Sequence, residues 1–547
     1  MKKTIIFILI LTASVSDIVS QNLPKIQITY NEDAATVVVP STITDVDVTT
    51  DGANVEITSS STKAEYAYVV SGSSTNGSLL IKGDYKLTLI LNGVTLNNSE
   101  GAAIDIECGK RIAVELVDGT VNTLSDSSFG IQKAAFYFSG HPEFEGGGIL
   151  NVTGNTKHAI CSKEYLLLKK STGMINVLGA KSDGIHCGKG KVSNEHNYFL
   201  MEGGTVNISN TGSDGIDSDD FGVVNIKGGA ISISLKGDDA SGIKADSILS
   251  ISDGLINISV NGVGSSALKS SYEMDISGGD LSLLILGDGS KGLRCKDAST
   301  TVLNGGYMHI DGGNIEIYAL GGNQIVDSDT TKCMAFSVDK DFVQTNGFIK
   351  LYACGPEAYS YSVKGEESQE GGSFNIVRAP WTINPLSFQY DMSSYIVVKI
   401  NDIPVDDYSN YSVGAFVGDV CRGVSEFENS DYGILRIRSN SSTSEEIHFK
   451  LYDYLTGNEY ELQSDTLVTF KSLDCYGTPS APIVLSVKID ERNKFDVNED
   501  GEVDISDIVA VINHIAGVHY WRYADVNEDK DVNISDIVSI INYMANH

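Results

Sequence analysis

The sequence predicts a mainly β chain in three parts: a long parallel β-helix, an immunoglobulin-like β-sandwich and a small α-helical module at the C-terminus. Three observations predict it. A glycine followed by alternating aliphatics recurs eight times between Gly148 and Gly347. From about Phe374 that phrase is gone and short alternating strands replace it. Near the end, two Asp-rich loops each open an apolar helix.

The eight copies begin Gly148-Ile-Leu-Asn-Val, Gly173-Met-Ile-Asn-Val and Gly204-Thr-Val-Asn-Ile, and follow at Gly229, Gly254, Gly279, Gly313 and Gly347. Their glycines lie 25, 31, 25, 25, 25, 34 and 34 residues apart. Self-similarity at such a period marks stacked repeats. Period-two alternation gives each repeat a strand with one buried face. Glycine allows a corner that needs positive φ or a close backbone approach. Coils of about 25 residues with Gly/Asp/Asn corners read as a parallel β-helix.

A second phrase lies between the glycines: His158-Ala-Ile-Cys-Ser, Asp183-Gly-Ile-His-Cys, Asp214-Gly-Ile-Asp-Ser, Ser241-Gly-Ile-Lys-Ala, Ser266-Ala-Leu-Lys-Ser and Lys291-Gly-Leu-Arg-Cys. Its last position is always small (Ser162, Cys187, Ser218, Ala245, Ser270, Cys295), as a narrow interior needs. The position before it reads Cys161, His186, Asp217, Lys244, Lys269 and Arg294, and alternation points that column outward. His186, Lys244, Lys269 and Arg294 are the candidate ligand-binding residues. Asp183, Asp214, Asp217, Asp219 and Asp220 are candidate calcium ligands.

The ends and flanks complete the organisation. Met-Lys-Lys and the apolar run Thr4 to Ala13 read as a signal peptide over residues 1–20, cleaved after Ser20. No later run is long enough to span a bilayer, so no transmembrane segment is expected after cleavage. Residues 21–364 are expected to hold the β-helix, with 21–85 as N-terminal cap strands and the repeat proper running from Lys86 to Val363. A polar, glycine-rich stretch begins at Lys364. Residues 365–488 are the expected β-sandwich spacer. Cys421 and Cys475 are left open as its possible disulfide.

The 547-residue chain carries a formal net charge of −33. That excludes nucleic acid as an expected partner, because nucleic acids recruit basic faces. It suits a secreted protein and it suits calcium.

The tail is the most specific motif. Asp496, Asn498, Asp500, Asp504 and Asp507 occupy loop positions 1, 3, 5, 9 and 12, with the Glu502 carbonyl at 7. Calcium takes six to eight hard oxygens in this EF-hand spacing. Gly501 holds the sharp-turn position. The unit repeats 29 residues later with Asp525, Asn527, Asp529, Asn533 and Asp536, and the Asp531 carbonyl. Duplicated loop–helix units with Asp at position 12 resemble a type I dockerin over about Asp490 to His547. The resemblance implies Ca2+ as cofactor and a cohesin-type scaffold protein as partner. Lys530 replaces the expected glycine of the second loop. Ile505-Ser506 and Ile534-Ser535 depart from the Ser-Thr pairs of clostridial dockerins.

Residues 26–363 resemble a family of secreted carbohydrate-binding domains, through "GDYKLTLILNGVTLNNSEGAAIDI", "KRIAVELVDGTVNTLSD" and "SDGI" alternating with "GGTVNI". That resemblance implies a right-handed parallel β-helix that binds cellulose or pectic acid, distantly similar to calcium-dependent pectate lyases. Together the parts imply a secreted, extracellular or cell-surface bacterial protein that binds polysaccharide without catalysis. A calcium-dependent polysaccharide lyase is the alternative, with a Lys, Arg or His base beside Asp214 and Asp217. An adhesin or structural surface protein is the second alternative.

Overall fold

A computed structural model describes residues 23–188, 197–297, 305–326, 329–353, 359–377, 381, 387–405, 408, 411–429, 432–453, 458–489, 493–498, 502–515, 524, 526–527 and 532–546. The expected signal peptide, residues 1–20, lies outside them. The chain divides into two compact units: residues 1–233 with 243–250, and residues 234–242 with 251–547. Among the described residues no helix is long and apolar enough to cross a membrane.

The first unit is built of parallel coils. One stack joins Asn54–Ser59, Ser78–Gly83, Ile104–Glu107, Ala134–Phe138, His158–Ser162, Ile185–Cys187 and Ile216–Ser218, each pairing in parallel with the next. Another holds the glycine phrases: Ile149 pairs with Met174, and Met174 with Thr205. Alternation buries Leu150, Ile175 and Val206 completely, about 1.5–3 kcal/mol for each large aliphatic. The polar position forms a ladder: Asn176 Nδ2 donates to Asn151 Oδ1 and Asn207 Nδ2 to Asn176 Oδ1, both at 2.9 Å. The small-residue column is buried as predicted at Ser162, Cys187, Ser218 and Ala245.

Parallel pairing starts upstream of Lys86. Lys25–Asn31 already pairs in parallel with Ala67–Ser74, and that strand with Leu87–Asn98. The antiparallel strands are Ala34–Val38, on Lys25–Asn31, and Val46–Asp51, on Asn54–Ser59. They cover strand edges that would otherwise pair with another chain.

The second unit contains further parallel coils. Glu273–Ile285, Tyr307–Ala319 and Phe342–Ala353 pair in turn, and the last also pairs with Ser373–Val377. Pairing therefore continues past Val363. Ser266–Ser270, Lys291–Cys295, Met334–Val338 and Tyr359–Val363 form the other face. The hairpin Gln324–Val326/Asp329–Thr331 is an insertion that lengthens the Gly313-to-Gly347 interval. Gly279, Gly313 and Gly347 hold φ of +88°, +83° and +85°, and a Cβ on Gly279 would stand 2.8 Å from the Gly254 oxygen. A side chain is excluded there both by conformation and by the coil beneath.

The same unit continues into a mostly antiparallel β domain. Tyr390–Ile400, Tyr432–Ser439, Val420–Asn429, Tyr411–Val417, His448–Asp453, Glu459–Ser464 and Ile483–Val487 pair in that order. Ile483–Val487 returns to Tyr390–Ile400 in parallel, so the pairing closes on itself. Ile396, Val398, Leu435, Phe449, Phe470 and Leu485 fill its core. Cys421 and Cys475 are free thiols. Helices Ile505–Ile515 and Ile534–Asn546 end the chain, packed around Val497, Val511, Val526 and Ile540.

Candidate functional site

Register brings the second phrase together. Cys161 faces His186, His186 faces Asp217, and Asp217 faces Lys244. The same register aligns the first positions His158, Asp183 and Asp214. The column expected to point outward is buried at Cys161, His186 and Asp217, because its polar side chains cover one another. His158 stacks on His186, ring centroids 4.3 Å apart. His186 Nδ1 lies 3.1 Å from both Asp183 Oδ2 and Asp217 Oδ2. Lys244 Nζ donates to Asp217 Oδ1 at 2.8 Å and to Asp219 Oδ1 at 3.3 Å. It stands 3.7 Å from Asp214 and 3.6 Å from Asp246.

Burial and charge oppose each other here. Burial alone would lower the His186 imidazolium, but Asp183 and Asp217 carry it up to about 9. Burial would raise the Asp183 carboxyl, yet the two imidazoles hold it well below the carboxylate range. Burial would lower the Lys244 ammonium, and Asp217 foremost, then Asp214 and Asp246, hold it above the usual lysine value. Burial keeps His158 below the usual imidazole value. Two cations therefore face five carboxylates.

Asp220 is exposed, and its backbone N–H donates to Asp246. In the second unit Lys269 sits beside Arg294 in register. Burial holds the Arg294 guanidinium below its usual value despite Asp339 and Asp239, with neither of which it forms an ion pair. The second unit also holds a group that sequence reading missed: His309 Nδ1 lies 3.2 Å from Glu273 and 3.5 Å from Asp275.

At the C-terminus, Asp507 is fully buried and accepts from the N–H groups of Val497 (2.6 Å), Asn498 (3.1 Å) and Asp504 (2.9 Å). Asp504 Oδ1 in turn accepts from the Ser506 N–H at 2.6 Å. The second segment repeats this: Asp536 accepts from Asn527 and Asn533, and Asn533 Oδ1 from Ser535. At each helix start the position-9 side chain thus caps the N–H two residues on, while the position-12 carboxylate reaches back to the position-9 N–H. Asp500, Asp525, Asp529 and Asp531 lie outside the described residues, as do Gly501 and Lys530.

The family model of a carbohydrate-binding domain-containing protein matches residues 51–289, and that of the type I dockerin domain matches residues 494–545. The chain joins a carbohydrate-binding domain to a type I dockerin domain. A carbohydrate-binding domain-containing protein of Acetivibrio thermocellus is 28% identical over 103 residues, which cover 17% of this chain and 36% of that relative's length. A solved structure described as the polysaccharide lyase-like protein from C. thermocellum, gadolinium derivative, aligns at 18% identity and a TM-score of 0.26. It covers 64% of this chain and 97% of its own.

The described dockerin donors fit calcium. Asp496, Asn498, Asp504 and Asp507 offer only oxygen, and Asp496 and Asp507 are buried. Carboxylates so placed need a cation or N–H donors around them. The polar cluster of the carbohydrate-binding domain is richer than predicted: His158 and Asp246 belong to it. His158 was legible as the first letter of its phrase, in line with Asp183 and Asp214. Asp246 follows its phrase by one residue and carried no signal of its own.

Proposed function

We propose that this is a secreted, non-catalytic protein of polysaccharide degradation. Its coils, read as a right-handed parallel β-helix, bind an acidic plant-type polysaccharide such as pectic acid, or cellulose. The domain at 365–488, of immunoglobulin-like size, spaces the binding domain from the tail. The dockerin domain, folded around two calcium ions, attaches the protein to a cohesin-type scaffold outside the cell or at its surface. The observation that carries this reading is the joining, in one chain, of the carbohydrate-binding and dockerin matches.

The chemistry is consistent with it. A polyanionic glycan approaches an acidic protein only through a cationic strip or a bridging cation. Lys269 and Arg294 offer the strip. Asp183, Asp214, Asp217, Asp219 and Asp220 offer oxygens to calcium, with His186 and Lys244 among them. A lyase needs a neutral amine or imidazole as base. The carboxylates around Lys244 and His186 keep both protonated at neutral pH, which favours binding over catalysis. For the tail, Ile505, Val509 and Ile512 on one helix, and Ile534, Val538 and Ile541 on the other, are exposed apolar residues at matching positions. Such duplicated stripes suit a protein partner.

Native affinity electrophoresis of the full chain tests the reading, in gels of polygalacturonate and of neutral glucan, with calcium or chelator. Retardation without new ultraviolet absorbance is expected. New absorbance, lost on Lys244→Ala, would make the protein a lyase. Migration unchanged in every gel would leave the adhesin.

A further inference from the structure

We infer that the last parallel coils and the antiparallel domain are clamped together by a shared aromatic interface, so that the two move and unfold as one body. The inference rests on the reading of residues 365–488 as a spacer and settles its kind: a rigid one.

The coil side carries the first observation. The fifth residue after each repeat glycine points outward, because its two neighbours in the strand point inward. It is Ser234 and Ser259 on two coils, then Leu284, Tyr318 and Tyr352 on the next three. Two places further, Lys236 and Asn261 give way to Leu286 and Leu320. Register sets Leu284 beside Tyr318 and Tyr318 beside Tyr352. The two tyrosine rings stack 4.3 Å apart and 5° from parallel. Left to solvent, these side chains would make a contiguous apolar stripe. Instead Tyr318, Leu320 and Tyr352 are buried, none more than 8% exposed.

The antiparallel domain supplies the cover. Val413, Ala415, Phe449 and Leu451 belong to that domain's own core. The opposite face of an antiparallel sheet is ordinarily solvated. Here the strand Tyr411–Val417 is buried on both faces from Ser412 to Phe416. Phe416 and Tyr452 alternate with the core residues, yet both are buried, in one apolar cluster with Tyr318, Leu320 and Tyr352. Trp381 completes the cluster, its ring edge-on to Phe416 at 5.1 Å and to Tyr452 at 6.1 Å. Polar groups close the rim. Trp381 Nε1 donates to Glu459 at 3.1 Å, and Lys450 pairs with the same carboxylate at 2.5 Å.

Domains joined by a small polar contact move freely, and a packed apolar one holds them still. Aromatic pairs inside a charged rim have the anatomy of a specific interface. The switch from serine to tyrosine occurs on the coils that the domain covers, which ties the sequence to the docking.

Trp381 is the reporter. The chain holds two tryptophans, so Trp521→Phe in the full chain leaves Trp381 as the sole indole. Its emission should be blue-shifted and poorly quenched by iodide. Urea should red-shift it in step with the loss of far-ultraviolet β signal, since probes of one cooperative unit coincide. Tyr318→Ser combined with Tyr352→Ser gives two coils the residue that Ser234 and Ser259 carry at that place. It should red-shift Trp381 and raise its quenching before any urea is added, with the β signal kept. Phe348→Ser, on the strand of Tyr352 but at a side chain 64% exposed, should change neither. An indole open to iodide without the tyrosine substitutions, or one that shifts before the β signal falls, overturns the inference. Unchanged emission in the double variant, or an equal shift in Phe348→Ser, overturns it too. Should the double variant not fold, quenching and urea unfolding with both tyrosines in place decide alone. No glycan enters the measurement, so its failure leaves the carbohydrate reading standing, and absent retardation in the gels leaves the clamp standing.

Discussion

Replacing Lys244 with methionine removes one ammonium and little volume. Its Nζ lies within 4.0 Å of Asp214, Asp217, Asp219 and Asp246, and its side chain is 21% exposed. Two of those carboxylates, Asp214 and Asp217, are buried. Taking one partner from a buried pair leaves an uncompensated charge and costs about 3–5 kcal/mol. An exposed pair would cost only about 0–1 kcal/mol. The partial exposure places the expected loss near the lower end of the first range, about 3 kcal/mol. Urea unfolding of the full chain, followed by a probe of its β coils, measures it. The vacated carboxylates form an oxygen-rich pocket, so millimolar calcium should recover part of the loss in Lys244→Met and add less to the wild type. A loss below about 1 kcal/mol would refute the reasoning, because Lys244 would then be a solvated cation. A full loss with no calcium recovery would mean that the carboxylates cannot turn toward a divalent ion.

Asp105 is raised to about 6 by burial, against a hydrogen bond from Gln132. A raised carboxyl favours folding below its ordinary value, and that contribution is lost as pH rises through about 6. Asp105→Asn should therefore stabilise the coils by up to about 3 kcal/mol at pH 8 and by little at pH 4, read from the pH dependence of unfolding. Gly279→Ala forces a Cβ to 2.8 Å from the Gly254 oxygen at φ +88°, and should cost about 1–3 kcal/mol in the same assay. Asp507→Ala leaves three N–H groups, that of the position-9 Asp504 among them, without their acceptor. It should lower far-ultraviolet helix signal and calcium affinity together, and added calcium should not restore the helix. Arg294→Ala should weaken retardation in polygalacturonate and leave neutral glucan gels unchanged; equal loss in both would remove Arg294 from carboxylate recognition.

The parallel coils were legible because stacking at strand spacing demands the same residue class at the same place in every turn. Gly148, Gly173 and Gly204, the Asn ladder and the small column Ser162, Cys187, Ser218 and Ala245 all announce that demand locally. The paired Asp-rich loops were legible for the same reason, since calcium ligation by a short loop is written in consecutive residues. Where pairing begins and ends was not legible. Lys25–Asn31 and Ser373–Val377 join neighbouring coils through backbone hydrogen bonds, which leave no mark on side-chain identity. The path of the antiparallel domain, with Ile483–Val487 returning to Tyr390–Ile400, rests on long-range pairing that alternation cannot specify. The chemical state of the polar column was decided only in three dimensions. Sequence placed His186, Asp217 and Lys244 in one line. Packing then buried His186 and Asp217 and half-buried Lys244 against His158, Asp183 and Asp246, and low exposure turned a row of surface charges into a coupled network. By itself the sequence determined which residues stack. Tertiary structure decided which of them lose water, and that desolvation, with the charges it brings together, sets their protonation.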